Sequence, residues 1–155
     1  MAIAIETTAH DLTIESDVIG PVTVTTADLW ELPAGLYGFP ECHGFALLPA
    51  GREGAFWLQS TTHRGLAFLL VDPFVFFPGY EVDLSSADLA RIGTAEPTEI
   101  IVLAIVTLPS TPHEAWSANL QGPVVLNVAA RQGYQCIIAN DRFGTRATFT
   151  PHAVA

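Results

Sequence analysis

The side chains that could do chemistry in this chain are few, and they are scattered. Cys42-His43 sets a thiol beside an imidazole, the raw material of a nucleophile and its base. Adjacent residues on a strand face opposite ways, however, and neither an orienting acid nor an oxyanion loop accompanies the pair, so it does not read as a dyad. Asp72 precedes Pro73. Its carboxylate could act as an acid, but a residue in that position more commonly bonds the backbone N–H groups of a turn. Asn119 and Gln121 carry amides that could brace a loop or read a partner's backbone. His10, His43, His63, His113 and His152 show no H-x-x-x-H spacing, and neither Cys42 nor Cys136 lies in C-x-x-C, so no metal is expected. Gly35-Leu36-Tyr37-Gly38 lacks the third glycine and the following helix of a dinucleotide fingerprint, and there is no phosphate loop. The residues therefore predict no catalytic site and no cofactor.

The elements that must carry these groups are mostly strands. Leu66 to Val71 is an unbroken apolar run that Asp72-Pro73 interrupts. Three aromatics follow, Phe74, Phe76 and Phe77, then a Pro78-Gly79 turn signal. Tyr80-Glu81-Val82-Asp83-Leu84 alternates like a half-buried strand, which would set Glu81 and Asp83 on one wet face and leave Phe74, Phe76 and Tyr80 as core anchors. Strands are also expected at Leu12–Glu15, across Val18–Val24 with a turn at Gly20-Pro21, and at Ala27–Leu32, Phe45–Leu48, Phe56–Ser60, Glu99–Leu108, Val124–Val128 and Tyr134–Ile138, the last long one. Asn119 to Pro123 reads as a loop before its strand, Arg131-Gln132-Gly133 and Asn140–Arg146 as turns, and Tyr37 and Phe39 as loop aromatics tucked inward. Ser85 to Gly93 is the main helix, with Ser85 and Asp88 spaced as a capping box and Gly93 as its stop; His113 to Trp116 is a candidate helical turn.

Many short strands, Gly/Pro turns and one or two short helices predict a mostly β, single-domain, antiparallel barrel-like fold. Residues 1–12 read as an N-terminal extension or first strand, 13–150 as the barrel domain, and 151–155 as a mobile tail. No apolar run is long enough for a membrane helix and no signal-peptide pattern opens the chain, so a soluble cytoplasmic protein with reduced cysteines is expected. Its formal net charge is -10, all six basic residues are arginines, and the first fifty residues hold seven acids and no base. Such a surface repels nucleic acid and anionic lipid and attracts basic partners.

Taken together, the stretches resemble the bacterial flagellar assembly factor FliW family from about Ile14 to Arg146. The resemblance rests on Gly35-Leu36-Tyr37-Gly38-Phe39, Phe45-Ala46-Leu47-Leu48-Pro49, Leu58-Gln59-Ser60, Ala67-Phe68 and Asp72-Pro73-Phe74-Val75-Phe76-Phe77-Pro78-Gly79-Tyr80-Glu81. It continues in Asn119-Leu120-Gln121-Gly122-Pro123-Val124-Val125-Leu126-Asn127 and Asn140-Asp141-Arg142-Phe143-Gly144-Thr145-Arg146. Tyr37, Gly122 and Phe143 depart from the usual proline, alanine and tyrosine, and the first ten or so residues look like an extension. The resemblance implies a non-enzymatic, chaperone-like β-barrel that binds the translational repressor CsrA and flagellin and so relieves repression of flagellin synthesis. Direct nucleic-acid or membrane contact is not expected. The candidate partner-binding residues are Asp72, Glu81, Asp83, Asn119 and Gln121, for which turn and strand stabilisation is the plainer reading. A small-ligand-binding or hydrolytic β-barrel is the competing class, recognisable by a closed pocket with convergent polar groups. A flagellar role lost in favour of another protein partner is a third.

Overall fold

A computed structural model describes residues 11–93, 99–138 and 142–150. Residues 1–10 of the expected N-terminal extension or first strand and the expected tail at 151–155 lie outside the described residues. Strands β1 (Leu12–Ile14) and β2 (Val22–Val24) form a hairpin, with Ile14 opposite Val22. Then come β3 (Leu29–Glu31), β4 (Gly44–Pro49), β5 (Ala55–Ser60), β6 (Ala67–Val71), β7 (Ile100–Thr107), β8 (Trp116–Asn127), β9 (Gln132–Gln135) and β10 (Ala147–Phe149). Each of β3 to β8 pairs with the next, β8 pairs with β9, and β9 pairs with β3. Seven strands thus close into a barrel.

An odd number of strands cannot alternate direction all the way round a closed barrel. The mismatch falls on the β3–β9 seam, the one parallel ladder, which consists of a single bridge between Glu31 and Gln132. Every other ladder is antiparallel, as expected. Strands β3 to β8 all send side chains into one buried cluster, including Trp30, Phe45, Leu58, Leu70, Leu103 and Val124. Contributions from so many strands to one cluster fix it as the barrel interior, filled by side chains. Outside the wall, Val71, Ala104, Val106, Ala118 and Leu120 pack with Phe76 and Tyr80. Cys42 and Cys136 are both buried free thiols, as expected.

The helix at 85–93 forms as α2 (Ser86–Ile92). The Ser85 hydroxyl accepts from the Asp88 N–H at 3.0 Å, and the Asp88 carboxylate accepts from the Ser85 N–H at 3.1 Å. Gly93 stops it at φ 78°, a left-handed conformation that costs glycine nothing. Ile92 is fully buried and joins Val125, Cys136 and Ile138 in a cluster beneath the helix.

Several expectations are corrected. The run after Pro73 forms a one-turn helix, α1 (Pro73–Phe76); helical spacing buries Pro73 and Phe76 and leaves Phe74 52 % exposed, so Phe74 is not a core anchor. Residues 80–84 alternate in burial but join no sheet, because alternation needs only an extended chain over a core and not a paired strand. Tyr37 and Phe39 are 63 % and 39 % exposed; Leu36, 2 % exposed, fills the space beneath that loop instead. His113-Glu114 is a plain turn rather than a helical one. The turn expected at Arg131 to Gly133 lies at 128–131, and Gln132 and Gly133 already belong to β9. Strand β9 ends at Gln135, but the N–H groups of Cys136 and Ile138 still donate to the Pro123 and Gln121 carbonyls of β8 at 2.9 and 2.8 Å, and the short β10 follows.

The largest topological correction concerns Asn119 to Pro123, which is the middle of β8 and not a loop. Strand β7 advances from Leu103 to Ile105 while β8 runs from Val124 back to Asn119, so β8 bulges there. One edge of β8 pairs with β10 before the bulge, through Trp116 to Ala118, and with β9 after it, through Val124 to Asn127. The bulge is where the strand exchanges one neighbour for the other.

Candidate partner-binding surface

Asp72 begins the site. Its carboxylate accepts the Phe74 N–H at 2.9 Å, Pro73 occupies the first helical position, and Phe77 ends the turn with its N–H on the Pro73 carbonyl. These local bonds fix α1 so that Phe74 and Val75 face solvent, 52 % and 41 % exposed. Pro78-Gly79 then reverses the chain, with Gly79 at φ 84°, a turn that favours glycine. Tyr80 returns beneath the surface. Its ring lies 5.5 Å from that of Phe74 and 5.0 Å, edge to face, from that of Phe143. Its hydroxyl donates to the Leu120 carbonyl at 2.8 Å, and burial pushes the phenol up to about 12.

The bulge of β8 forms the second wall. The Asn119 side-chain oxygen accepts from the N–H groups of Gln121 and Gly122 at 3.0 and 2.9 Å, closing a small turn inside the strand. A Cβ at Gly122 would come within 2.9 Å of Asn119 Nδ2. The Gln121 amide donates to the Phe143 carbonyl at 2.8 Å, and the Leu120 N–H donates to the Gly144 carbonyl at 3.0 Å. The segment 142–144 is thereby strapped across the bulge. Arg142 reaches back over the Phe143 ring, 5.3 Å from its centroid, and pairs with Glu81 at 3.7 Å.

Four of the five residues singled out in the sequence thus belong to one connected patch: Asp72 through α1, Glu81 through Arg142, and Asn119 and Gln121 through the bulge. Asp83 lies two residues beyond Glu81, exposed like it, while Tyr80, Val82 and Leu84 turn inward. One carboxylate oxygen of Asp72 and the amide oxygen of Asn119 accept backbone N–H groups, so each side chain braces its own turn. The exposed part of the patch includes Phe74, Val75 and Asp83, and Glu81 with its contact to Arg142. Sequence reasoning missed Tyr80, Arg142 and Phe143 as members of this patch. All three lie within motif stretches, but local spacing says nothing of their mutual contact.

A second group of reactive atoms lies elsewhere. Cys42 Sγ is 3.7 Å from His63 Nδ1, not paired with His43, whose ring nitrogen contacts the Pro40 carbonyl at 2.9 Å. His63 Nδ1 also meets the Thr62 hydroxyl at 2.9 Å, and among the described residues no carboxylate pairs with its ring as the acid of a triad does. Both side chains line a surface cleft of about 690 Å³. Among the described residues no group of three or more His, Cys, Asp or Glu is disposed to hold a metal ion, and no helix is long and apolar enough to cross a membrane.

The chain as a whole is similar to known proteins. The model of the FliW protein family matches residues 13–149. A Treponema denticola protein named flagellar assembly factor FliW is 36 % identical over 133 residues, covering 86 % of this chain and 90 % of that protein. A Moorella thermoacetica protein of the same name is 37 % identical over 128 residues, 82 % of this chain and 81 % of that protein. A crystal structure of the flagellar assembly factor FliW superposes with a TM-score of 0.80 at 30 % identity, covering 92 % of this chain and all of that one.

Proposed function

Because this chain belongs to the FliW family of flagellar assembly factors, we propose that it acts in the cytoplasm by binding proteins and not by catalysis. Its partners are a CsrA-type translational repressor and flagellin, and capture of the repressor frees flagellin messenger RNA for translation. Family membership over nearly the whole chain carries this reading. The physical character of the surface supports it. The net charge of -10 suits a basic RNA-binding partner and disfavours direct contact of this protein with RNA. The patch at α1 sets exposed apolar side chains, Phe74 and Val75, close to the acids Glu81 and Asp83, a mixture that offers both contact area and steering charge. Asp72, Asn119 and Gln121 contribute by holding that patch in shape.

The test is calorimetric titration of purified, nuclease-treated protein against the same organism's CsrA-type repressor and, separately, its flagellin. Heat and co-elution with at least one of them are expected. No heat and no co-elution with either would overturn the proposal.

A further inference from the structure

Strand β6 runs between two surface features. Its C-terminal end feeds α1 and the patch described above, and its N-terminal end leaves the turn that follows β5. That turn and the loop between β3 and β4 enclose the cleft of about 690 Å³ that Cys42 and His63 line. Each wall is fixed by its own bonds. In the loop, the Phe39 N–H donates to the Leu36 carbonyl at 2.7 Å, and the Cys42 N–H donates to the Phe39 carbonyl at 3.2 Å. In the turn, the Ser60 hydroxyl accepts the N–H groups of Thr62 and His63 at 3.2 and 3.0 Å, and the buried Gln59 amide donates to the His63 carbonyl at 3.2 Å. The cleft is therefore preformed, and a ligand entering it orders little of the protein.

Its surface is apolar with an acidic rim. Phe39 is 39 % exposed, with its ring held edge to face on Phe68 at 5.4 Å, and Pro40 and Leu66 share the wall. Glu41, exposed on the same wall, makes no hydrogen bond or ion pair with any described residue. Arg64 is the one arginine lining the cleft, and Asp17 matches its charge at 2.8 Å. The exposed Glu15 is close enough to add to the field on that guanidinium. His63 Nδ1 is taken up by Thr62 and Cys42. Glu15 and Glu41 are thus left uncompensated in a chain whose net charge is already -10. We propose that this cleft docks a short extended segment of a basic partner protein, an arginine flanked by aliphatic residues. The aliphatic side chains cover Phe39, Pro40 and Leu66, and the guanidinium reaches Glu41 and the exposed part of the Phe39 ring. Charge complementarity selects the occupant: an acidic segment is repelled by Glu15 and Glu41, and a neutral one gains nothing from them. The cleft and the α1 patch lie at opposite ends of β6, and the inference does not depend on which partner that patch takes.

The experiment is a nuclear magnetic resonance titration of the isotope-labelled full chain with the capped peptide acetyl-Gly-Leu-Arg-Leu-Gly-amide. The expected result is a saturable shift of the amides at 38–42 and 62–66 that weakens at high salt, where the attraction is screened. The same peptide with glutamate in place of arginine should give none, and one with alanine in place of both leucines should bind severalfold more weakly. Glu15→Gln combined with Glu41→Gln removes both uncompensated charges. It should retain the folded spectrum, because exposed carboxylates contribute little to folding, and should weaken binding severalfold. No saturable shift, an equal response to the glutamate peptide, or an unchanged affinity in the double variant would overturn the proposal. An equal response to spermidine would replace the peptide with a free polyamine. Shifts at 38–42 and 62–66 that grow with protein concentration alone would assign the cleft to a second copy of this chain, and either result ends the partner-segment assignment.

Discussion

The Tyr80 hydroxyl donates a 2.8 Å hydrogen bond to the carbonyl of Leu120, and that bond joins the turn after α1 to the bulge of β8. Leu120 in turn bonds Gly144 through its N–H, so one residue of the bulge holds both neighbouring segments. The exposed patch of Phe74, Val75 and Glu81 is therefore anchored from beneath by Tyr80, in addition to the Asp72 cap and the Glu81–Arg142 contact at its surface.

Tyr80→Phe should keep the ring packing and lose the bond, lowering stability by roughly 1 kcal/mol, with more lost if the Leu120 carbonyl finds no other donor. The phenol also gives a pH signature. Its value is raised from 10.0 to about 12 because the buried site disfavours the charged form. The fold thus prefers the protonated phenol; that contribution is complete below pH 10 and is lost as pH rises through about 12. Alkaline melts should show this loss in the wild type and less of it in Tyr80→Phe. Equal alkaline sensitivity in both proteins would show that Tyr80 is not the group responsible.

Asp72→Ala removes the acceptor for the Phe74 N–H and should cost about 0.5–2 kcal/mol, the range for a lost helix cap. Asp72→Asn retains a side-chain oxygen and should recover most of it. If thermal melts of Asp72→Ala match the wild type while partner affinity falls, Asp72 is a contact residue instead of a cap.

These two residues also show what the sequence does and does not encode. The Asp72 cap was legible because its partner lies two residues away, and α2 was legible because Ser85, Asp88 and Gly93 each act on their own turn. Strands β4 to β7 were legible as apolar and β-branched runs between Gly/Pro breaks. The Tyr80–Leu120 and Gln121–Phe143 contacts were not, since each joins segments far apart in the chain. Asn119 to Pro123 misled because a polar Gly-Pro stretch normally ends a strand. Here the Asn119 side chain supplies the missing backbone bonds, and the strand continues with a new neighbour. Tyr37 and Phe39 misled because aromatic character favours burial on average, while the space beneath that loop is already occupied by Leu36.

Cys136 is completely buried, and its thiol is pushed up to about 11, first by burial and then by the Asp88 carboxylate. At neutral pH almost no thiolate is present to react. In the unreduced native protein, alkylation of Cys136 should be slow, and both Cys136 and Cys42 should react fully after denaturation. Mass spectrometry of the alkylated protein checks this. Recovery of neither thiol after denaturation would mean that the two are bridged.

Glu81 and Asp83 provide the test of the patch itself. Both are exposed, so their charges do little for folding beyond the 3.7 Å contact of Glu81 with Arg142. Reversing both, as Glu81→Lys with Asp83→Lys, should leave the melting temperature nearly unchanged, apart from new repulsion at Arg142. If this face meets a basic repressor, the same change should slow association severalfold, and most of that difference should vanish at high salt, where the attraction is screened. Dissociation, governed by close contacts such as those of Phe74 and Val75, should change less with salt and more in Phe74→Ala. Stopped-flow association with a CsrA-type repressor at low and high ionic strength separates these effects. Rates that fall with salt equally in the wild type and in the charge-reversed protein would move the steering charge away from this patch. The base-free first third of the chain, with Asp11, Glu15 and Asp17 around the β1–β2 hairpin, would then be the next surface to reverse.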